Sequence, residues 1–299
     1  MREFALLEHI FASNAALPAE VVIPPGDDMG AIRVGDRTVL VTVDQVADGV
    51  HVDVAAHGVD AAGRKAITRN LSDVAAMAAR PVAAVAAACL PRDMSETVAK
   101  QLFEAMRATA QRYSCPLIGG DVSMWDHPML LTVTVLAEPW PGQPPLLRSG
   151  AKVGDAVCVT GELGGSLAGH HLTFEPRIAA AKRLAELGAT SMIDLSDGLA
   201  RDLGHICRSS GVGAVVEASR LPVRACMATE PRWCAAVGDG EDYELCFTMP
   251  PERVVASVEG VNVTMIGRIV DAHRGEAVLQ LPDGTCRSMS DLGWEHHGD

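Results

Sequence analysis

Apolar and polar positions alternate with two different periods along the chain. Residues 38–44, Thr-Val-Leu-Val-Thr-Val-Asp, and 129–138, Met-Leu-Leu-Thr-Val-Thr-Val-Leu-Ala-Glu, are rich in β-branched residues and predict strands. Residues 82–90 form an unbroken apolar run between two prolines and predict a buried strand. Helical spacing of apolar positions predicts helices over 4–10, 61–79 and 95–113, and again over 176–188 and 198–209. The helix at 176–188 has its proline near the start and its glycine at the end, as capping asymmetry requires. Further strands are expected at 155–160, 214–218, 263–270 and 277–281, and after the glycine turn that begins at 238. Helical and strand patterns both occur in each half of the chain. Four prolines and a glycine within 139–145 read as a linker, dividing the chain into domains 1–138 and 146–299.

A few polar groups break these patterns. Ser72 and Asp73 interrupt the apolar helix 61–79, in the stretch Asn70-Leu-Ser-Asp-Val-Ala-Ala-Met77. Ser, Asn and Asp are poor helix-interior residues because their side chains compete for backbone hydrogen bonds. The same tripeptide recurs as Leu195-Ser196-Asp197, behind Asp194. Read as a helix, Asp194 and Asp197 share one face. Each copy alone is equally well read as a capped helix start. Other acids stand at turns and strand ends: Asp27 and Asp28 in Pro-Pro-Gly-Asp-Asp, Asp44 at the end of strand 38–44, and Asp121 after Gly119-Gly120. Glu241, Asp242 and Glu244 crowd one strand entry. Taken singly, each has a plain structural reading in turn chemistry. His51, in the loop after Asp48, is more often structural than functional as a lone histidine. Gly161-Glu-Leu-Gly-Gly-Ser166 is glycine-rich but fits neither the P-loop nor the dinucleotide spacing.

Composition narrows the chemistry. A net charge of −13 over 299 residues argues against broad attraction to nucleic acid or an anionic membrane. The longest apolar run, 82–90, is too short to span a bilayer, and a charged residue breaks the apolar stretch near the N-terminus; both point to a cytoplasmic protein. Eight cysteines without Cys-x-x-Cys spacing read as small buried hydrophobes in a reducing compartment. Acids at many turns with no His/Cys cluster suit Mg²⁺, a hard ion that takes oxygen ligands and binds substrate phosphates. An acidic protein can therefore handle a polyphosphate without a basic phosphate loop.

With these residues assembled, the chain resembles the thiamine-monophosphate kinase family, within the ATP-binding superfamily of aminoimidazole ribonucleotide synthetase. The resemblance runs nearly end to end. It covers Pro25-Gly-Asp-Asp28, Val43-Asp44, Asp48-Gly-Val-His51, Asn70-Leu-Ser-Asp-Val-Ala-Ala-Met77 and Gly119-Gly-Asp121. Arg148-Ser-Gly-Ala-Lys-Val-Gly-Asp155, Asp194-Leu-Ser-Asp-Gly-Leu199, Gly240-Glu-Asp-Tyr-Glu-Leu245 and Gly293-Trp294 continue it. Their common order carries the likeness, and Gly-Glu-Asp-Tyr-Glu is the element most particular to this branch.

The resemblance implies an α/β (α+β), synthetase-like fold of two domains. An N-terminal mixed sheet would pair across a homodimer, with a C-terminal α/β domain covering it. It implies transfer of the ATP γ-phosphoryl to thiamine monophosphate, giving thiamine diphosphate, by in-line displacement with several Mg²⁺ ions and no general base. By position, Asp27, Thr42, Asp44, Asp73, Asp121, Asp194 and Asp197 would hold Mg²⁺. Gly120, Asp121, Arg148 and Ser196 would contact ATP, and His51, Glu241 and Trp294 the thiamine phosphate. The chain departs from the family at Asp48, where Glu is usual, at Val122-Ser123, where a Thr pair is usual, and at Ala78, where Gly is usual. Ala-Ala-Gly-Arg also replaces an aromatic-containing stretch before Lys65. These departures bear on affinity and rate more than on reaction type. Other synthetases of the superfamily are the first rival. The selenium enzyme would have a reactive Cys near the N-terminus and the hydrogenase-maturation protein one at its end, whereas here the first is Cys89 and the last Cys286. A non-catalytic nucleotide-binding protein of the same fold is the second rival.

Overall fold

A computed structural model describes residues 6, 9–10, 17–227, 231–290 and 292–293. Most of the helix expected at 4–10, and Trp294, lie outside these residues; Leu6, His9 and Ile10 are helical.

The first half is a six-stranded sheet built from β1 (Val21–Ile23), β2 (Gly30–Val34), β3 (Arg37–Ala47), β4 (Ala79–Pro91), β5 (Leu117–Trp125) and β6 (Leu130–Pro139). Its order is β1-β2-β3-β6-β4-β5, with only β4 and β5 parallel. Two helices, α1 (Val54–Ala76) and α2 (Glu96–Arg112), pack on one face. The period-two pattern sorts that face: Leu40 and Val46 of β3, and Leu131, Val133 and Val135 of β6, are buried against Ile67, Leu71, Leu102 and Met106. Ser95 caps α2 by accepting from Val98 N at 3.3 Å. Asp53 caps α1 likewise, accepting from Ala56 N at 3.0 Å.

Helix α1 differs from the expected 61–79 at both ends. It begins seven residues earlier, through a kink at Gly58 (φ +80°), and stops at Ala76. Ala78 then turns the chain into β4 with φ +47°, a left-handed conformation that an L side chain resists. The usual family glycine at that position is thus explained by the backbone.

The second half contains β7 (Ala156–Thr160), α3 (His170–Thr173), α4 (Ile178–Leu187), β8 (Ser191–Asp194), α5 (Leu199–Ser210), β9 (Gly213–Glu217), α6 (Trp233–Gly238), β10 (Leu245–Met249), β11 (Ser257–Val258), β12 (Val261–Val270), β13 (Ala277–Gln280) and β14 (Cys286–Ser288). Its main sheet runs β14-β13-β9-β12-β7-β10-β8, with β11 paired to β12. Leu199, Leu203 and Ile206 of α5 form a core with Val157, Val159 and Ile266 on one face. On the other face, Ala180, Ala181 and Leu184 of α4 meet Cys158, Met192 and Phe247. Ala75, in the last turn of α1, and Ala78, just after it, pack into this second core, so the small-residue stretch joins the two halves. No helix among the described residues is long and apolar enough to cross a membrane.

Strand β8 removes the condition under which Asp194 and Asp197 would share a helix face, while the helix expected over 198–209 is observed as Leu199–Ser210. Ser191–Asp194 pairs antiparallel with β10, Asp194 opposite Leu245, and the helix starts only at Leu199. Two apolar residues, Met192 and Ile193, are too few to announce a strand; the partner strand supplies the hydrogen bonds that hold it.

Candidate active site

Three carboxylates from distant parts of the chain converge where the halves meet. Oxygens of Asp28, in the turn before β2, Asp73, near the end of α1, and Asp194, the last residue of β8, all lie within 4.8 Å of one another. Each is held by a neighbour. Thr42 Oγ1 donates to Asp73 Oδ2. Ser72 Oγ donates to Asp194 Oδ2 at 2.6 Å, so adjacent residues of α1 serve two different acids. Arg148 reaches back across the linker. Its Nη2 lies 2.7 Å from Asp28 Oδ1, and its backbone N–H donates to Asp27 Oδ1 at 2.8 Å.

Burial and like charge act together on these acids. Burial, then Asp44, Asp194 and Asp28, holds the Asp73 carboxyl well above the usual range. Burial and the neighbouring Asp28 raise Asp194 to about 7, and burial raises Asp27 to about 6. Asp28 Oδ2 is buried with no hydrogen-bond partner. Carboxylates crowded this way repel unless a cation joins them, and all the donors are hard oxygens. The residues therefore fit Mg²⁺.

The expected set is partly assembled here. Asp73, Asp194 and Thr42 stand at the centre. Asp44 lies beside them, its Oδ1 3.5 Å from Arg69 Nη2. Asp28, outside the expected ligand set, takes the central place next to Asp27. Asp197 sits one loop away and donates its N–H to buried Asp202 at 3.1 Å. Asp121 stands apart from this group. Register puts Asp44, Val133, Ala86 and Gly120 in one row across β3, β6, β4 and β5, and Asp121 in the next row with Ala87, Thr132 and Gln45. Side chains of successive residues leave opposite faces, so Asp121 points away from the Asp44 side. Gly120 and Asp121 are both exposed on the edge strand β5. A Cβ on Gly120 would lie 1.9 Å from Ala86 O, so only glycine permits this approach of β5 to β4.

A cavity of about 120 Å³ opens beside the acids, lined among others by His51, Arg69, Ser196, Asp197, Glu241 and Tyr243. The Gly-Glu-Asp-Tyr-Glu loop is fastened to the second Leu-Ser-Asp by backbone bonds. Glu241 N donates to Ser196 O at 2.7 Å, Tyr243 N to Leu195 O at 2.8 Å and Leu195 N to Glu244 O at 2.8 Å. Glu241 and Tyr243 adopt φ of +62° and +50°, strained values that these bonds and the stacking of Tyr243 on Phe174 (4.0 Å) sustain. A Cβ on Gly240 would meet Ser196 O at 2.7 Å, which accounts for the glycine.

His51 and Glu241, expected on the same ligand, are joined by a residue that the motif reading left without a role. Lys65 Nζ, fully buried, donates to His51 O at 2.6 Å and to Glu241 Oε2 at 2.5 Å. Burial lowers its pKa to about 8 against the opposing pull of Glu241. Lys65, Arg69, Ser72 and Asp73 follow the i, i+4, i+7, i+8 spacing of one helix face, the signal that could have found them. The glycine-rich loop has a different employment. Gly164 N donates to Asp242 at 3.0 and 3.1 Å, and Gly165 N to Asp239 Oδ2 at 2.8 Å, so the chain's own acids occupy those N–H groups.

Comparison with known proteins bears on these features. The chain matches the family models of AIR synthase related proteins, the N-terminal domain over residues 26–138 and the C-terminal domain over 152–280. It is 35% identical over 290 residues to the thiamine-monophosphate kinase of Rhodopirellula baltica, covering 90% of this chain and 89% of that one. The Escherichia coli K12 thiamine-monophosphate kinase is 32% identical over 327 residues, with 98% of each chain covered. Among solved structures, that of AaThiL complexed with AMPPCP and TMP superposes with a TM-score of 0.85 at 27% identity, covering 99% of this chain and 97% of that one.

Proposed function

This chain belongs to the thiamine-monophosphate kinase family, and from that premise we infer the reaction and the residues that carry it. The chain is a kinase that transfers the γ-phosphoryl group of ATP to the phosphate of thiamine monophosphate, giving thiamine diphosphate and ADP. The observation that carries the assignment of the site is the Asp28–Asp73–Asp194 cluster beside the cavity of His51 and Glu241. An acceptor phosphate is already ionised at pH 7, so positioning and charge stabilisation suffice and no strong general base is required.

Asp28, Asp73 and Asp194 would hold Mg²⁺, with Asp27, Thr42, Asp44 and Asp197 completing the donor set. Bound Mg²⁺ supplies neutralisation of the phosphate charge that builds up during transfer. Thr42 and Ser72 orient two of the carboxylates, and Arg148 keeps the Asp27–Asp28 turn against the second half. Arg148, Ser196, Gly120 and Asp121 are assigned to the nucleotide. Exposure of Gly120 and Asp121 supports that reading for them. His51 and Glu241 are assigned to thiamine monophosphate, whose cationic ring suits a carboxylate; Trp294, assigned with them, lies outside the described residues.

The domain division at 139–145 and a homodimer belong to the same proposal. Two matching family models flank the linker. The first sheet leaves Val43 and Val85 exposed on the face opposite its helices, and Ile118, Val122 and Met124 exposed on edge strand β5. An apolar sheet surface of this kind is covered in stable proteins. Sedimentation at micromolar concentration should show a dimer that Val43→Asp dissociates.

Purified protein with ATP and Mg²⁺ should convert thiamine monophosphate to the diphosphate. Failure to form product at high enzyme concentration, with ADP released on another acceptor, would sink the assignment.

A further inference from the structure

We propose that Arg69 takes the phosphate of the acceptor, an inference that rests on the function proposed above. Lys65, Arg69, Ser72 and Asp73 form one face of α1, spanning about 12 Å of helix axis from the cavity to the acid cluster. Their partners follow in order: Glu241, Asp44, Asp194 and Thr42. The charge of Lys65 is already committed to Glu241 and the His51 carbonyl, and Lys65 does not line the cavity. Arg69 does, and among the described residues lining it Arg69 is the one Lys or Arg, alongside the acids Asp197 and Glu241.

The guanidinium is under-used. Nη1 donates to Gln45 O at 2.7 Å, and Nη2 stands 3.5 Å from Asp44 Oδ1, at the limit of a hydrogen bond. Nε is buried with no hydrogen-bond partner. A planar fork with unspent donors matches phosphate oxygens two at a time. A phosphate placed here without Arg69 would meet Asp197 and Glu241 with no Lys or Arg among the described lining residues. Asp44 belongs to the proposed metal set, so Arg69 stands between that cluster and the acceptor.

Calorimetric titration of thiamine monophosphate and of unphosphorylated thiamine, each with Mg²⁺ and ADP present, tests this. Arg69→Gln should weaken thiamine monophosphate about tenfold or more and leave thiamine within about twofold. Arg69→Lys, which keeps the charge without the fork, should fall between. Equal binding of thiamine monophosphate by wild type and Arg69→Gln overturns the inference, as does equal weakening of both ligands. Wild-type protein that binds neither ligand overturns the function itself. Should Arg69→Gln melt below assay temperature, Arg69→Lys decides: an unchanged preference for the phosphorylated ligand overturns the role.

Discussion

Leu71-Ser72-Asp73 lies inside α1, whereas Leu195-Ser196-Asp197 follows the end of β8 in an irregular loop. In the first copy the side chains do the work. Ser72 Oγ holds Asp194, and Asp73 joins the cluster under Thr42. In the second copy the backbone does it. Leu195 and Ser196 carry the hydrogen bonds that fix the Glu241–Tyr243 loop, while Asp197 faces the cavity. The acid that the second half gives to the cluster is Asp194, just before the tripeptide. Identical residues thus contribute through different atoms, because a helix spends its backbone groups internally and a loop leaves them free.

Substitutions can break this comparison, the most damaging first. Asp73→Asn or Asp194→Asn should lower kcat by about 10²–10³-fold or more, read in a coupled ADP assay with circular dichroism to confirm the fold. Lys65→Met should come next. It leaves Glu241 without its buried partner, and the KM for thiamine monophosphate should rise about tenfold while that for ATP stays within twofold. Ser72→Ala should reduce turnover by about tenfold through a misdirected Asp194. Ser196→Ala keeps the backbone bonds to Glu241 and should act chiefly on the KM for ATP. If Ser196→Ala proves the more damaging to kcat, the contrast between side-chain and backbone use is wrong.

The cluster also predicts a pH dependence. Asp73 and Asp194 have folded-state pKa values above their unfolded ones, so the folded state binds more protons between the two. Their stability contribution is present below about pH 4 and is lost as pH rises through the folded values, near 7 for Asp194. In EDTA, Tm should therefore fall between pH 5 and 8 by way of this cluster. Adding Mg²⁺ should raise Tm more at pH 8 than at pH 5, because the ion competes with those protons. The smallest effect is expected at Ala78→Gly. Relief of the left-handed alanine, about 1–2 kcal/mol, is offset by loss of a buried methyl worth about 0.8 kcal/mol. A gain of about 0.5 kcal/mol in urea unfolding should result.

Much of the fold was legible locally. The strand at 38–44 and the helix at 95–113 are observed as Arg37–Ala47 and Glu96–Arg112, because alternation and helical spacing are properties of contiguous residues. The mixed α/β class and the motif-based family resemblance also came through, since each motif is short and ordered. Strand Ser191–Asp194 was not legible, as its stability resides in β10, more than fifty residues away.

The sequence by itself determined which acids this protein owns, that they suit a hard cation, and which family of kinases it resembles. Only the tertiary structure decided which acids meet. It chose Asp28 over its neighbour Asp27 for the centre, set Asp121 on another face, and made Lys65 and Arg69 part of the site. The reason is geometric: a carboxylate or an ammonium has no direction until its backbone is paired, and these backbones are paired with strands and helices far along the chain.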